Sequence, residues 1–96
     1  MHFVLLCTDK PNSLDLRLQV RPDHVKYLES LGTSLKTAGP FITDEGSPNG
    51  SLVVIEAADR AAAKVIAEND PYAKAGLFAS VDIRAWKWTL NNPEPV

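Results

Sequence analysis

Apolar residues along this chain fall into four strand-like runs and, between them, stretches of helical spacing. Phe3 to Thr8 is apolar in both of its alternating sets, Phe3, Leu5 and Cys7 on one side and Val4 and Leu6 on the other. A strand of that kind wants cover on both faces. Ser51 to Glu56 behaves the same way through Leu52, Val53, Val54 and Ile55. Leu35–Ala38 is shorter and more polar, which suits a sheet edge, and Gly39-Pro40 is expected to stop it. The last run, from about Leu77 to Leu90, alternates Val81, Ile83 and Ala85 against Asp82, Arg84, Trp86 and Trp88.

Helical patterning fills the gaps. Ser13 is placed to cap a helix from Leu14, with Leu14 and Leu18 on one face. Pro22 disfavours helical geometry at Arg21, which predicts a kink or restart there. Beyond it Val25, Leu28 and Leu31 recur at helical spacing until Gly32 ends the helix. His24 precedes Leu28 by four residues and Leu31 by seven, so it shares their inward face rather than the polar face of Asp23, Lys26 and Glu29. Asp59 caps a second helix whose Ala62, Val65 and Ile66 are expected to face the core, and Asp70-Pro71 opens a short helical turn that Gly76 can close. Asp9–Asn12 and Asp44–Gly50 read as turn-rich connectors.

The order strand, helix, strand, strand, helix, strand is the ferredoxin-like βαββαβ arrangement, an α+β fold with a four-stranded antiparallel sheet. In that topology the first and third strands are central, and those are the two that are apolar on both sides. Two helices cover only one face. The other face, left in water, would be a patch larger than monomers usually show. A second copy packed sheet to sheet resolves this and predicts a homodimeric α+β barrel, or a higher assembly built from it. With 96 residues the chain buries only about two-thirds of its unfolded surface, which favours the same answer. It reads as a single domain over residues 1–90, followed by a loose tail over residues 91–96.

Composition narrows the partners. The net charge is −2 and the basic residues are scattered singly, so no nucleic-acid stripe is present. No apolar run approaches the ~20 residues that span a bilayer, and Met1–Thr8 lacks the basic start of a signal peptide. One cysteine, Cys7, forms no intrachain disulfide and fits a reducing cytoplasm, which is the expected location.

His24 is the histidine set well inside an element, and imidazole is the most versatile acid–base group near neutral pH. Its plainer reading is a core histidine bonded to backbone. Asp70, before a proline at a helix start, is already explained as an N-cap. A carboxylate has lone pairs enough to cap its helix and also accept a proton from His24, which it would orient and make more basic. Arg17 and Arg21, four apart and upstream of His24, read either as a solvated helix face or as a clamp for an anionic oxygen. Tyr72 is core or pocket wall, and Ser51 at a strand start could donate into a cleft. There is no Gly-rich phosphate loop, and His2, Cys7 and Asp9 are too sparse for a metal site. Cys7 reads as an inert apolar residue, and Trp86 and Trp88 as packing residues.

In order along the chain, Asp9-Lys10-Pro11-Asn12-Ser13-Leu14, Arg17-Leu18-Gln19-Val20-Arg21-Pro22-Asp23-His24, Ala38-Gly39-Pro40, Gly50-Ser51 and Asn69-Asp70-Pro71-Tyr72-Ala73-Lys74-Ala75-Gly76-Leu77 resemble the YciI-like (YCII-related) family. The resemblance covers nearly the whole chain. It implies a homodimeric α+β barrel with a cleft holding a catalytic histidine–aspartate pair, by position His24 and Asp70, with Arg21 and Tyr72 also matched. The connector after Pro40 is shorter than in many members, so no substrate class is carried over. The expected activity is cofactor-independent acid–base chemistry, of lyase or hydrolase type, on a small molecule that is aromatic or anionic. Arg17, Arg21, Ser51 and Tyr72 are the expected substrate-binding residues. The rival reading is a non-catalytic module that binds a small ligand or a protein, and a third is an oxygenase on a related barrel.

Overall fold

β1 (His2–Asp9) and β3 (Pro48–Glu56), the two strands apolar on both sides, pair antiparallel at the centre of a four-stranded sheet. β2 (Leu35–Ile42) flanks β3 and β4 (Phe78–Trp86) flanks β1, both antiparallel, in the order β2-β3-β1-β4. This computed structural model describes residues 1–94. α1 (Leu14–Ser30), α2 (Arg60–Glu68) and the short α3 (Pro71–Lys74) complete the ferredoxin-like order, with one 3₁₀ turn at Gly32–Ser34. Among the described residues no helix is long and apolar enough to cross a membrane.

The core lies between the sheet and the helices. Phe3, Leu5 and Cys7 from β1 and Val53 and Ile55 from β3 are buried against Leu28 of α1 and Ala63 and Ala67 of α2. The Tyr27 hydroxyl donates to the Ile66 carbonyl at 2.7 Å and ties α1 to α2. Asp59 accepts from the Ala62 amide at 2.8 Å, the cap its sequence position implies.

Several local expectations are corrected. α1 runs unbroken through Pro22. Proline removes the N–H that would serve the Leu18 carbonyl. Leu18 and Pro22 both lie on the exposed side, where water can take that carbonyl, so the helix survives. Ser13 precedes the helix but makes no capping bond, its hydroxyl donating instead to the Pro11 carbonyl at 3.3 Å. Leu14 and Leu18 are 40 and 54 % exposed, and the buried stripe of α1 is Arg17, His24 and Leu28.

β2 does not stop at Gly39-Pro40 but continues to Ile42, with Pro40 opposite Ser51. Proline is tolerated there because an edge strand has one side without a ladder partner. The connector shrinks to a tight hairpin, Thr43 N–H to Ser47 C=O at 2.8 Å, with Gly46 at φ +88°. β3 starts three residues earlier than expected and β4 ends at Trp86 rather than Leu90. In α2 the buried positions are Ala63 and Ala67, and Ile66 packs at the core's edge while Val65 is 57 % exposed.

Glu94 of the segment expected as an arm makes an ion pair with the sheet. Its carboxylate meets the Lys36 ammonium at 2.5 Å, and Trp88 packs on Trp86 and His2 at centroid distances of 5.6 and 6.0 Å. The expected arm also includes Pro95 and Val96, which lie outside the described residues.

Candidate active site

His24 and Asp70, 46 residues apart in sequence, meet on the helix side of the sheet. α1 places His24 one turn before Leu28, on the stripe that faces β3, and burial leaves it 8 % exposed. Asp70 stands at the N-cap of α3 with extended backbone, and Pro71 holds the first helical position. Its Oδ1 accepts from the Tyr72 amide at 2.9 Å, so the cap fixes the carboxylate. Nδ1 of His24 lies 2.9 Å from both oxygens of that carboxylate. With Nδ1–H given to Asp70, the neutral ring has its basic lone pair on Nε2, the tautomer that general-base chemistry needs.

Tyr72 follows directly and is fully buried. Its ring stacks on the His24 ring, centroids 3.9 Å apart and planes 18° from parallel. The Arg17 guanidinium lies over the Tyr72 ring, 4.6 Å from its centroid. Arg17 is therefore not on a solvated face. Its Nε and Nη2 donate to the two oxygens of Asp9 at 2.6 and 3.1 Å, and Nη2 also donates to Ser51 Oγ at 2.8 Å. A fork-to-fork pair of this kind suits a buried arginine. Among the described residues Nη1 has no partner. Ser51 accepts from Arg17, so its own proton is left to donate.

A cavity of about 250 Å³ opens beside these groups. His24, Arg17, Arg21, Ser51 and Tyr72 line it, with Leu28, Pro40 and Val53 among its apolar walls. Asp70 is absent from the lining, so His24 stands between the carboxylate and the cavity. Arg21 is exposed at the cavity wall and makes no ion pair among the described residues.

Burial pushes the Tyr72 phenol up, against the pull of Arg17 and Arg21 and with help from Asp70 and Asp9, so it stays a hydroxyl near neutral pH. Burial would lower the Arg17 guanidinium, but its hydrogen bond to Asp9 and that carboxylate's charge outweigh this and raise it. All six residues singled out from the sequence lie within this arrangement. Asp9 was missed as a member. It sits where β1 and β4 slip register between Thr8 and Asp9, a bulge of the kind that re-aims side chains at functional sites. The available signal was its place at the end of a central strand, eight residues before an arginine on the His24 stripe. Among the described residues no group of three or more His, Cys, Asp or Glu side chains is placed to hold a metal ion.

The family model of the YCII-related domain matches residues 1–87. Protein YciI of Escherichia coli is 37% identical over 95 residues, spanning 91% of this chain and 97% of its own length. An uncharacterized protein of Haemophilus influenzae is 38% identical over the same shares. Among solved structures, the 5-chloro-2-hydroxyhydroquinone dehydrochlorinase TftG of Burkholderia phenoliruptrix, in complex with 2,5-dihydroxybenzoquinone, superposes with a TM-score of 0.85. It is 34% identical and the match covers 96% of this chain and 99% of that one. SnoaB, a cofactor-independent oxygenase of Streptomyces nogalater, shares the fold at a TM-score of 0.56 and 10% identity, covering 95% of this chain and 96% of its own.

Proposed function

The chain belongs to the YCII-related family, and we propose that it is a small cofactor-independent enzyme of lyase or hydrolase type. Its substrate is a small aromatic or anionic molecule that a cavity of about 250 Å³ can hold. The observation that carries this reading is His24 Nδ1 at 2.9 Å from the Asp70 carboxylate, with the ring on the cavity wall. His24 Nε2 takes a proton from a substrate O–H or from water. Asp70 holds the ring's tautomer and stabilises the imidazolium, as the carboxylate does in hydrolytic triads. In an elimination the freed electron pair expels the leaving group as an anion. In a hydrolysis it forms the bond from the water oxygen to the substrate, and the bond to the leaving group breaks with its electron pair going to that group. The imidazolium then returns its proton to the leaving group or to solvent. Arg21 and the open Nη1 of Arg17 face a developing anionic oxygen, and Ser51 and Tyr72 donate to it.

Elimination is the better supported of the two. TftG, which shares a third of this sequence and the same fold, is a dehydrochlorinase, and loss of HCl is an elimination. The proposed homodimer would use the sheet face away from the helices, which leaves this cavity open, and higher assemblies would do the same. A reducing cytoplasm suits the single buried Cys7.

The test starts with a panel of hydroxylated and chlorinated aromatics, 2,5-dihydroxybenzoquinone included, screened by thermal shift and then by chloride release and mass spectrometry. Turnover is expected for at least one compound that stabilises the fold. His24→Asn and Asp70→Asn should keep the fold and lose roughly 10²–10⁴ in kcat. Bound compounds recovered unchanged throughout, or variants that turn over normally, would replace the enzyme with a binding module.

A further inference from the structure

Two side-chain pairs, Asp9 with Arg17 and Asp70 with His24, flank one tyrosine ring. Arg17 sits 4.6 Å from the Tyr72 centroid and the His24 ring 3.9 Å from it. Two groups at such heights cannot share one face of a ring, so they take opposite faces. The helix supplies the spacing: Arg17 and His24 are seven residues apart on the buried stripe of α1, which is two turns or roughly 10 Å of rise. Tyr72 is the plate between them. Behind Arg17 stands Asp9, its side chain 5 % exposed, and behind His24 stands Asp70. Asp70 has an evident task. Asp9 touches neither the His24 ring nor the cavity, yet it is bound to Arg17 through two hydrogen bonds.

A guanidinium cannot shed its proton, and a buried one without a counter-charge is strongly unfavourable. Its field also opposes any second positive charge nearby. The imidazolium of His24 is such a charge, across the Tyr72 ring from Arg17. The charged and titratable groups around the Tyr72 plate are Arg17 and Arg21 from α1, Asp70 at the N-cap of α3 and Asp9 from β1, with Cys7 of β1 beside Asp70, Asp9 and Arg17, while β2 and β3 line the cavity only with uncharged residues. Within that set Asp9 is the partner that cancels Arg17.

We propose that Asp9 is a positioning residue of the His24 site: by neutralising Arg17 and pinning it over the far face of Tyr72, it sets the pH at which His24 takes its proton. This rests on His24 as the proton carrier and deepens that reading. Removing the Asp9 charge leaves Arg17 uncompensated and disfavours the imidazolium. Removing the Arg17 charge leaves Asp9 uncompensated and favours it. Removing both restores the balance.

The experiment is an NMR titration of the His24 ring carbons in the whole chain, with far-UV circular dichroism to confirm folding. Relative to the native chain, Asp9→Asn lowers the His24 midpoint and Arg17→Gln raises it, each by on the order of one pH unit. The Asp9→Asn/Arg17→Gln double variant returns to within a few tenths of a unit. A purely structural role gives no such opposition of sign. Should Asp9→Asn not fold, Arg17→Gln against the double variant carries the same sign test. Midpoints that stay put, or that move the same way in both single variants, overturn the proposal. The titration needs no substrate, so it stands or falls separately from any search for turnover.

Discussion

On β1 the side chains alternate between a face under the helices, where Phe3, Leu5 and Cys7 are buried, and a face where Val4 and Leu6 are only partly covered. Cross-strand pairing extends the division over the whole sheet. Phe3 and Leu5 lie opposite Ile55 and Val53, and Val4 and Leu6 opposite Val54 and Leu52. The composition of the two faces along β1 is similar, yet only one is finished by the chain's own helices. The other is strapped at one end by the segment after β4. Trp88 rests on Trp86 of β4 and His2 of β1, and Glu94 reaches Lys36 on β2, so the segment passes from one sheet edge to the other. The helix face holds buried charge and the cavity. The open face holds apolar surface beside exposed Asp82 and Arg84. The proposed chemistry lies where the chain can exclude water alone, and apolar surface has been left where a second copy is proposed to sit.

Paired truncations on neighbouring positions break this comparison if it is wrong. Phe3→Ala on the helix face should cost about 3–5 kcal/mol in urea unfolding at any protein concentration. Leu6→Ala should cost less than about 2 kcal/mol in dilute solution, because the side chain is half in water there. Its cost should grow with protein concentration, since a second copy that covers Leu6 stabilises the native chain by mass action. Equal, concentration-independent costs at both positions would mean the open face is not an interface. Next in size is the strap. Trp88→Ala removes two aromatic contacts and should cost about 1 kcal/mol. No change in the unfolding midpoint would show that the segment merely lies on the sheet.

The same contrast decides what was legible in the sequence. β1 and β3 announced themselves as central because both of their faces are apolar, and no competing signal interfered. α1 misled because its inward stripe is polar. Arg17 and His24 occupy it, and the leucines at 14 and 18 are left outside, so apolar spacing pointed to the wrong side of its first two turns. Only beyond Pro22, where Leu28 marks the buried face, did the pattern place His24 correctly. α2 went astray by one position for a different reason. It packs through Ala63 and Ala67, whose small side chains allow close approach, and leaves the larger Val65 in water. Pro22 reads as a kink or restart and Gly39-Pro40 as a stop, yet neither interrupts its element, because each faces a side where the missing hydrogen bond costs little. Asp9 was invisible as a site residue because its partner, Arg17, read most simply as solvated.

The smallest test concerns Cys7 and its neighbour Thr8, adjacent residues on opposite faces. Burial, then the Asp70 and Asp9 carboxylates, push the Cys7 thiol up to about 12, with Arg17 pulling the other way. Since the thiolate is the nucleophile, the folded chain should resist iodoacetamide at pH 8 and react only when unfolded in urea. A Thr8→Cys change in a Cys7→Ala background puts the thiol on an exposed position and should label at the rate of a free thiol. The shift also has a direction in stability. Between the ordinary thiol value of about 9 and the folded value of about 12, the unfolded chain has lost the Cys7 proton and the native chain keeps it. The native state then binds more protons, so this contribution is complete below pH about 9 and declines as pH rises toward 12. Cys7→Ala should flatten the alkaline fall in unfolding free energy while changing little at pH 7. Rapid labelling of native Cys7, or an unchanged alkaline slope in the alanine variant, would show that the helix face is wetter than its geometry indicates.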